Sequence, residues 1–258
     1  MTSANTNRFQ DFFENDQYVT LKNYLYNYCL RKRAVEKAMR FEKKELVLEI
    51  GSGISPVLTS CDNVVYTDLS SSALDMLKKI HGRGQYVVAD AMNLPFDDCC
   101  FSHVISSEVL EHLEDDRKAL MEIARVIKPD GTLIVTFPHR HFYFSHDDRY
   151  VNHYRRYELA EMISLLDKAG FHTEYVKKVL GPLEKITMWV VTICASGLER
   201  WKGRGDVEEK QKNPSGVVIK LFQWGNKLYA GIAWLDALIM PRALSAVLLI
   251  KAKKKQSS

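Results

Sequence analysis

Two closely spaced glycines follow the first short apolar run of the chain. The run Leu46–Ile50 leads directly into Gly51-Ser52-Gly53. Glycines at this spacing let the backbone turn sharply and approach a bound ligand closely. Pro56 stands where a dinucleotide-binding turn has its third glycine, and proline removes an amide that a pyrophosphate needs. The turn therefore favours a nucleotide-like ligand without phosphates.

Acidic residues come at the ends of the first three apolar runs. These residues are Glu49, Asp68 and Asp90, and Ala91 follows the last of them. Because the carboxyl ends of parallel strands meet at one edge of a sheet, we expect the three acids to line one site. The spacing of Asp68 from Glu49 is typical of an acid that accepts hydrogen bonds from ribose hydroxyls. Asp90 is expected to accept a hydrogen bond from an adenine amino group. Glu49 has two open roles, either holding the glycine turn or contacting the cationic amino-acid end of the ligand.

Strands and helices alternate from residue 46 onward. Apolar runs predict strands, and three- and four-residue spacing of apolar residues predicts helices. The predicted strands are 46–50, 64–67, 85–89, 101–106, 132–137, 171–176 and 243–252, and the predicted helices are 18–40, 70–80, 115–127 and 158–169. Nearly continuous apolar strands between amphipathic helices predict a doubly wound α/β fold whose sheet is covered on both faces.

Three segments divide the chain on this interpretation. Residues 1–44 form an N-terminal helical segment. Residues 45–179 and 243–258 form a Rossmann-like α/β domain. Residues 180–242 form a helical insertion between the last two strands, where apolar helical stretches flank a charged loop.

These motifs resemble the class I S-adenosylmethionine-dependent methyltransferases. The similarity lies in Leu46–Gly53, Asp68, Asp90-Ala91 and Ser107–Leu113, with further likeness at residues 94–97 and 127–132. It is greatest to the subgroup that contains ubiquinone, menaquinone, small-molecule and sugar methyltransferases. One departure is Ser55, where many members have a third glycine. The resemblance covers about residues 45–176 and the last strand.

The resemblance implies a fold, a cofactor and a set of contacts. The fold is a seven-stranded sheet of order 3-2-1-4-5-7-6, with strand seven, residues 245–252, antiparallel. The cofactor is S-adenosyl-L-methionine. The implied cofactor-binding residues are Glu49, Gly51, Ser52, Gly53, Asp68, Leu69, Asp90, Ala91 and Ser107.

Histidines are concentrated after the fifth predicted strand, the region that faces the acceptor in this fold. They are His139, His141, His146 and His153. A hydroxyl acceptor needs a general base, and histidine is the commonest one. We predict His153 as the catalytic residue, with His141 as the second candidate. Arginines in the same segment suit a phosphate or carboxylate on the acceptor.

Glu108-x-x-Glu111-His112 forms a second constellation. On a helix these three side chains would share one face, and two carboxylates with an imidazole can hold a divalent ion. The arrangement is similar to that of metal-assisted methyltransferases acting on catechol-like quinone precursors and on RNA 3′ ends. The same residue types also occur in the subgroup without a metal, and the favoured interpretation is that none is bound.

The insertion 180–242 contains all four tryptophans, interleaved with lysines and arginines. Its helices either pack on the domain and on each other, or form an interfacial surface or a lid over an apolar substrate. We therefore expect a small-molecule or lipid-linked acceptor, quinone-like or glycosyl, and peripheral membrane contact through 180–242. O-methylation is the first expectation because of the clustered histidines, and N- or C-methylation is the alternative.

Composition bounds the remaining function classes. The net charge of +4 is too small for an obligate nucleic-acid binder. The five cysteines have neither disulfide-framework nor zinc-site spacing, and no apolar run reaches the ~20 residues of a spanning helix, so a cytoplasmic location is expected. A nicotinamide-dependent oxidoreductase and a non-catalytic cofactor-binding scaffold are the rival hypotheses. Pro56 argues against the first of them.

Overall fold

Seven strands form one mixed sheet that carries the candidate site at one edge. The computed structural model describes residues 22–39, 46–191 and 216–256. The strands are β1 Val47–Ile50, β2 Val64–Asp68, β3 Gln85–Val88, β4 Phe101–Ser107, β5 Ile127–Pro138, β6 Phe171–Leu180 and β7 Val247–Lys254. Their order is β3-β2-β1-β4-β5-β7-β6, and β7 is antiparallel to both β5 and β6. The predicted order and the predicted antiparallel last strand are confirmed.

Helices cover both faces of this sheet. They are α1 Tyr26–Ala38, α2 Ser71–His81, α3 Asp116–Val126, α4 His146–Tyr150, α5 Leu159–Lys168, α6 over residues 183–191 and α7 Gly216–Ile239. Successive residues of a strand point to opposite faces. Accordingly, Val104 of β4 packs in the core that contains α3 and α5, and Ile105 packs in the core that contains α1, α2 and α7. The doubly wound arrangement is confirmed.

Local sequence signals set two of these helix starts. Ser70 caps α2, since its hydroxyl accepts a hydrogen bond from the Ala73 amide at 3.2 Å, and Asp115 caps α3 in the same way through the Lys118 amide at 3.0 Å. Such caps satisfy amides that have no partner within the helix. The predicted helix 18–40 is interrupted at residues 23–25, where Leu25 is extended, and α1 begins at Tyr26; residues 18–21 and 40 lie outside the described residues.

The boundaries of three strands differ from the predictions by two or more residues. β6, expected over 171–176, continues to Leu180, which is the first residue of the predicted insertion. Residues 128–131, between the predicted helix 115–127 and the predicted strand 132–137, were expected to form a turn, but β5 begins at Ile127 and its register with β4 shifts there. Asp130 adopts a φ of 58°, so the turn residues form an irregularity inside the strand. The last strand was expected from residue 243 or 245, but β7 begins at Val247, after a short 3-10 turn over Arg242–Leu244.

The described part of residues 180–242 continues from β6 into two helices. α7 packs on α1, where the rings of Tyr26 and Tyr229 meet edge to face at 4.7 Å and the Arg33 guanidinium lies 5.9 Å from the Trp234 ring centre. Among the described residues, no helix combines the length and apolar character needed to cross a bilayer.

Candidate active site

The glycine turn lies between β1 and the segment that follows β4. Gly51 and Gly53 have φ angles of 66° and 52°, in the left-handed region that favours glycine. A Cβ added to Gly51 would lie 2.5 Å from Cγ2 of Val109. Glycine is therefore required at 51 both by the backbone conformation and by the close approach of the segment after β4.

Glu49 holds this turn from inside the protein. Its carboxylate is buried and accepts hydrogen bonds from the amides of Val57 at 2.7 Å and Leu58 at 3.1 Å. Burial raises the pKa of Glu49 to about 8, against the opposing effect of the two amide hydrogen bonds. Of the two roles left open by the sequence, the geometry matches the first, which is support of the loop.

Asp68 connects the glycine turn to the start of α2. Its Oδ2 accepts a hydrogen bond from the Gly53 amide at 2.9 Å, and its Oδ1 accepts one from the Ser70 amide at 2.9 Å. Burial raises the pKa of Asp68, while these hydrogen bonds act in the opposite direction. Each carboxylate oxygen keeps a second lone pair, so the residue retains acceptor capacity for a ligand.

Lys22 approaches the same place from the N-terminal side. A Cβ added to Gly53 would lie 3.9 Å from Oδ2 of Asp68 and 4.0 Å from Nζ of Lys22. Burial lowers the pKa of Lys22 to about 8, the Arg31 charge acts in the same direction, and the Asp68 charge opposes both. The residues before α1 thus reach the predicted ribose position.

The other implied cofactor contacts lie along the same edge of the sheet. Oδ1 of Asp90 accepts a hydrogen bond from the Met92 amide at 2.9 Å, and Ala91 is buried beside it. Leu69 is exposed directly after Asp68. Ser107, at the end of β4, shares a 2.8 Å hydrogen bond with the hydroxyl of Thr136. Buried Ser52 donates its amide to the Thr67 carbonyl at 3.0 Å.

The segment after β4 is not the α-helix expected from Glu108-x-x-Glu111-His112. Glu108 has a φ of 55°, and only Leu110–His112 form a 3-10 turn. A 3-10 turn does not place residues i and i+4 on one face as an α-helix does. Instead, Oε2 of Glu108 lies 3.5 Å from Nη1 of Arg31 in α1. The prediction that Glu108, Glu111 and His112 share one helix face is therefore wrong.

Glu111 and His112 meet His153, which comes from the loop after α4. Nε2 of His153 lies 3.9 Å from Oε1 of Glu111, and the rings of His112 and His153 are edge to face at 4.5 Å. Glu111 is completely buried, which raises its pKa well above the usual range, and the Glu108 charge adds to this effect. Burial lowers the pKa of His112 to about 3, and the charge of His153 acts in the same direction.

Asp148 fixes the orientation of His153. Its Oδ1 lies 2.8 Å from Nδ1 of His153 and accepts a hydrogen bond from Nε of Arg156 at 2.8 Å. Nζ of Lys185 forms an ion pair with Oδ2 of Asp148 at 3.3 Å. Burial acts to raise the pKa of Asp148, but the partners outweigh it and hold this pKa well below its usual range.

The other predicted histidines lie elsewhere. His141 is exposed, and its Nε2 lies 3.1 Å from Glu161 at the surface. His139 is buried, and its Nδ1 contacts the Ser245 carbonyl at 2.9 Å, an arrangement suited to holding β5 against the start of β7. His146 is exposed at the start of α4. His141 is therefore not part of the cluster around Glu111, and its catalytic role stays a prediction.

Two buried carboxylates were missed by the sequence analysis. Asp148 belongs to a pair of aspartates five residues before His153, and that spacing was the available signal. Glu184 follows β6 and binds the Tyr26 hydroxyl and, at 3.3 Å, the Asn27 amide of α1. No local pattern marks Glu184, because its partners lie more than 150 residues away.

Comparison with known proteins relates the chain to methyltransferases. Residues 48–135 match the family model described as a methyltransferase domain. A probable S-adenosylmethionine-dependent methyltransferase of Mycobacterium tuberculosis is 30% identical over 125 residues, covering 47% of this chain and 46% of the relative. A demethylmenaquinone methyltransferase of Clavibacter sepedonicus is 34% identical over 94 residues, covering 35% and 38%. The chain spans about half the length, or less, of these curated relatives.

A solved structure matches a larger share of the chain. Phosphoethanolamine N-methyltransferase 2 of Haemonchus contortus, in complex with S-adenosyl-L-methionine, aligns with a TM-score of 0.58 over 96% of this chain and 60% of that chain. Its sequence identity is 22%, so the likeness concerns the fold. The family-model match ends at residue 135, and Asp148, His153 and Glu184 lie beyond it.

Proposed function

We propose that this chain, which contains a class I S-adenosylmethionine-dependent methyltransferase domain, is an enzyme that methylates a hydroxyl oxygen of a small or lipid-linked acceptor. Its cofactor is S-adenosyl-L-methionine. The observation that carries the choice of acceptor atom is the cluster of Glu111, His112 and His153 beside the glycine turn, with His153 oriented by Asp148.

The glycine turn suits a nucleoside better than a dinucleotide. Its amides at 52, 53, 55, 57 and 58 already donate to protein oxygens, those of Thr67, Asp68, Ser52 and Glu49. A pyrophosphate would need such amides for itself. The carboxylates of Asp68 and Asp90 retain acceptor capacity for ribose and adenine. The engaged amides and the remaining acceptor capacity of the two aspartates support the sulfonium cofactor over a nicotinamide one.

Binding of this cofactor divides among the named residues. Asp68 accepts from the ribose hydroxyls and Asp90 from the adenine amino group, while Leu69 and Ala91 lie beside the two acids. Glu49 acts indirectly, by holding the turn. S-adenosyl-L-methionine supplies a methyl group on a good leaving group, so orientation of the acceptor accounts for much of the rate.

A hydroxyl acceptor requires removal of a proton that a neutral amine does not. The acceptor oxygen forms its bond to the methyl carbon as the carbon–sulfur bond breaks, the electron pair passes to sulfur, and the hydroxyl proton passes to Nε2 of His153, whose Nδ1 is engaged by Asp148. The cluster around His153 lies next to the turn, because Val109, which touches Gly51, is only two residues before Glu111. It is therefore placed to activate the acceptor.

An amine acceptor is the second candidate, and one observation favours it. Glu111 and Glu184 are buried, and burial raises the pKa of both carboxyls; the Glu108 charge adds to this effect and the Arg31 charge opposes it. Buried carboxylates suit a cationic ammonium group. Such a group must lose its proton before it can attack, so the same cluster would serve it.

A lipid-linked acceptor and peripheral membrane contact are supported by the surface of α7. Several of its exposed apolar side chains recur at helical spacing, among them Val217, Leu221, Trp224, Leu228, Leu235 and Leu238. Lys220 and Lys227 are exposed on the same helix. Apolar and aromatic side chains with flanking lysines suit the interface of an anionic bilayer. The interleaved residues 201–212 lie outside the described residues.

Transfer of a labelled methyl group tests the acceptor class. The chain is incubated with methyl-labelled cofactor and with matched catechol, hydroquinone, sugar and primary amine acceptors. We expect label in the hydroxyl acceptors, lost in His153→Ala and retained in His172→Ala, an exposed histidine on β6. Transfer to amines alone would replace the first proposal by the second, and no transfer to any acceptor would contradict both.

Co-sedimentation with vesicles tests the α7 surface. We expect the chain to sediment with phosphatidylglycerol vesicles more than with phosphatidylcholine vesicles, and Trp224→Ser to weaken this. Met121→Ser is the matched control, since Met121 is equally exposed on α3. Equal sedimentation of Trp224→Ser and the unaltered chain would contradict a membrane role for this surface.

A further inference from the structure

We propose that Glu111, His112 and His153 bind a divalent transition-metal cation beside the acceptor. This proposal rests on the methyltransferase function and deepens it. One ligand atom from each of the three residues lies within 4.8 Å of the other two. Metal–ligand bonds of about 2.0–2.2 Å bring neighbouring donors closer together than this, so binding needs small inward movements of side chains.

Glu111 provides the first independent observation. It is completely buried, and within the described part of the chain neither of its carboxylate oxygens accepts a hydrogen bond. Its Oε1 faces Nε2 of His153 at 3.9 Å. A buried carboxylate without hydrogen bonds is costly, and a bound cation is one of the arrangements that removes this cost.

His153 provides the second independent observation. Asp148 engages its Nδ1, so this network assigns the proton to Nδ1 and leaves the lone pair of Nε2 directed toward Glu111. A carboxylate behind the distal nitrogen of an imidazole is the usual support of a metal-ligating histidine. Arg156 and Lys185 in turn hold Asp148. The imidazole is therefore oriented as a ligand before any cation arrives.

The ligand set differs from the one suggested by sequence spacing. Glu108 pairs with Arg31 at 3.5 Å, and the third ligand comes from His153, which lies 41 residues after His112. Two imidazoles and one carboxylate favour zinc, iron(II) or cobalt over magnesium, which prefers oxygen ligands. Three protein ligands leave coordination positions open, as in catalytic sites.

A cation at this place would lower the pKa of an acceptor hydroxyl brought next to it. His153 is then a metal ligand, its predicted role as the residue that takes the proton is given up, and the proton of the activated hydroxyl passes to solvent. Asp148 becomes a positioning residue that acts through His153.

Cobalt binding to the purified full chain tests the site without any turnover. After removal of bound metal with EDTA and dialysis, Co²⁺ is titrated while the visible absorption of the ion and the heat of binding are followed. We expect one Co²⁺ per chain and Mg²⁺ binding at least about tenfold weaker. Glu111→Gln and His153→Ala should weaken Co²⁺ binding at least about tenfold, and Asp148→Asn by about 10–100-fold.

Controls separate this proposal from the function on which it rests. Glu111→Gln is nearly isosteric, and S-adenosylhomocysteine binding reports whether each variant is folded. His172→Ala should bind Co²⁺ like the unaltered chain. Absence of Co²⁺ binding, or binding that Glu111→Gln leaves unchanged, overturns the cation site. If S-adenosylhomocysteine binds in that case, and methyl transfer proceeds in EDTA, the methyltransferase function stands and His153 returns to the role of base.

Discussion

Replacement of Glu49 by alanine tests how the glycine turn is held. The Glu49 carboxylate accepts the amides of Val57 and Leu58 at 2.7 and 3.1 Å, and all of these groups are buried. Glu49→Ala leaves two buried donors without this acceptor, at about 1–3 kcal/mol each. We therefore expect the free energy of unfolding to fall by about 2–6 kcal/mol.

Urea unfolding at about pH 5, where Glu49 with its pKa of about 8 is neutral in the folded chain, measures this loss by circular dichroism. For a domain of this size each kcal/mol corresponds to about 2–4 °C in Tm, so thermal unfolding should shift by roughly 5–20 °C. Glu114→Ala, at an exposed glutamate, is the matched control and should stay within about 0.5 kcal/mol. A loss below about 1 kcal/mol in Glu49→Ala would refute the assigned role of this carboxylate.

The pH dependence of stability provides a second test of the role of Glu49. A pKa of about 8 in the folded chain, against an ordinary value of 4.5, means that the folded state favours the neutral acid. The contribution to stability is thus fully present below pH 4.5 and is lost as the pH rises to 8, by up to about 5 kcal/mol. Glu49→Gln removes this titration. The stability of the unaltered chain relative to Glu49→Gln should therefore fall between pH 5 and 8, and a constant difference would contradict the burial argument.

Two further substitutions test the packing around the site. Gly51→Ala should lower Tm and weaken S-adenosylhomocysteine binding, because the added Cβ would meet Val109 and the backbone has a positive φ. Adding Val109→Ala should restore part of the lost stability and affinity. No restoration would contradict the contact between positions 51 and 109. Tyr157→Phe removes the 2.8 Å hydrogen bond to Asp116 and should lower the free energy of unfolding in urea by about 1–2 kcal/mol. Affinity for S-adenosylhomocysteine should not change, and a changed affinity would instead place Tyr157 in the site.

The sheet was predictable because its signals are local and repeated. Short apolar runs such as residues 64–67 are long enough for strands and too short for buried helices, and the resemblance supplied their order. The start of the helix predicted over 70–80 was correct, since Ser70 caps α2. The start of β5 was not predictable in the same way, since Lys128-Pro129-Asp130-Gly131 has the composition of a turn and lies within the strand as an irregularity.

The candidate site was only partly predictable from spacing. Glu49, Asp68 and Asp90 were placed by the rule that parallel strands end at one edge. The helical period assumed for Glu108, Glu111 and His112 failed, because Glu108 takes a left-handed conformation that the sequence does not mark. The meeting of Glu111 with His153 depends on the path of the chain through α3, β5 and α4, which no local pattern encodes.

Calorimetric titration with S-adenosylhomocysteine and with NAD tests the central claim most directly, because both ligands would compete for the edge of the sheet at Asp68. We predict binding of one S-adenosylhomocysteine per chain, no heat with NAD, loss of binding in Asp68→Ala, and unchanged binding in Asp62→Ala, an exposed control. No heat with S-adenosylhomocysteine in folded protein, or an Asp68→Ala affinity within a few-fold of the unaltered chain, would contradict the account.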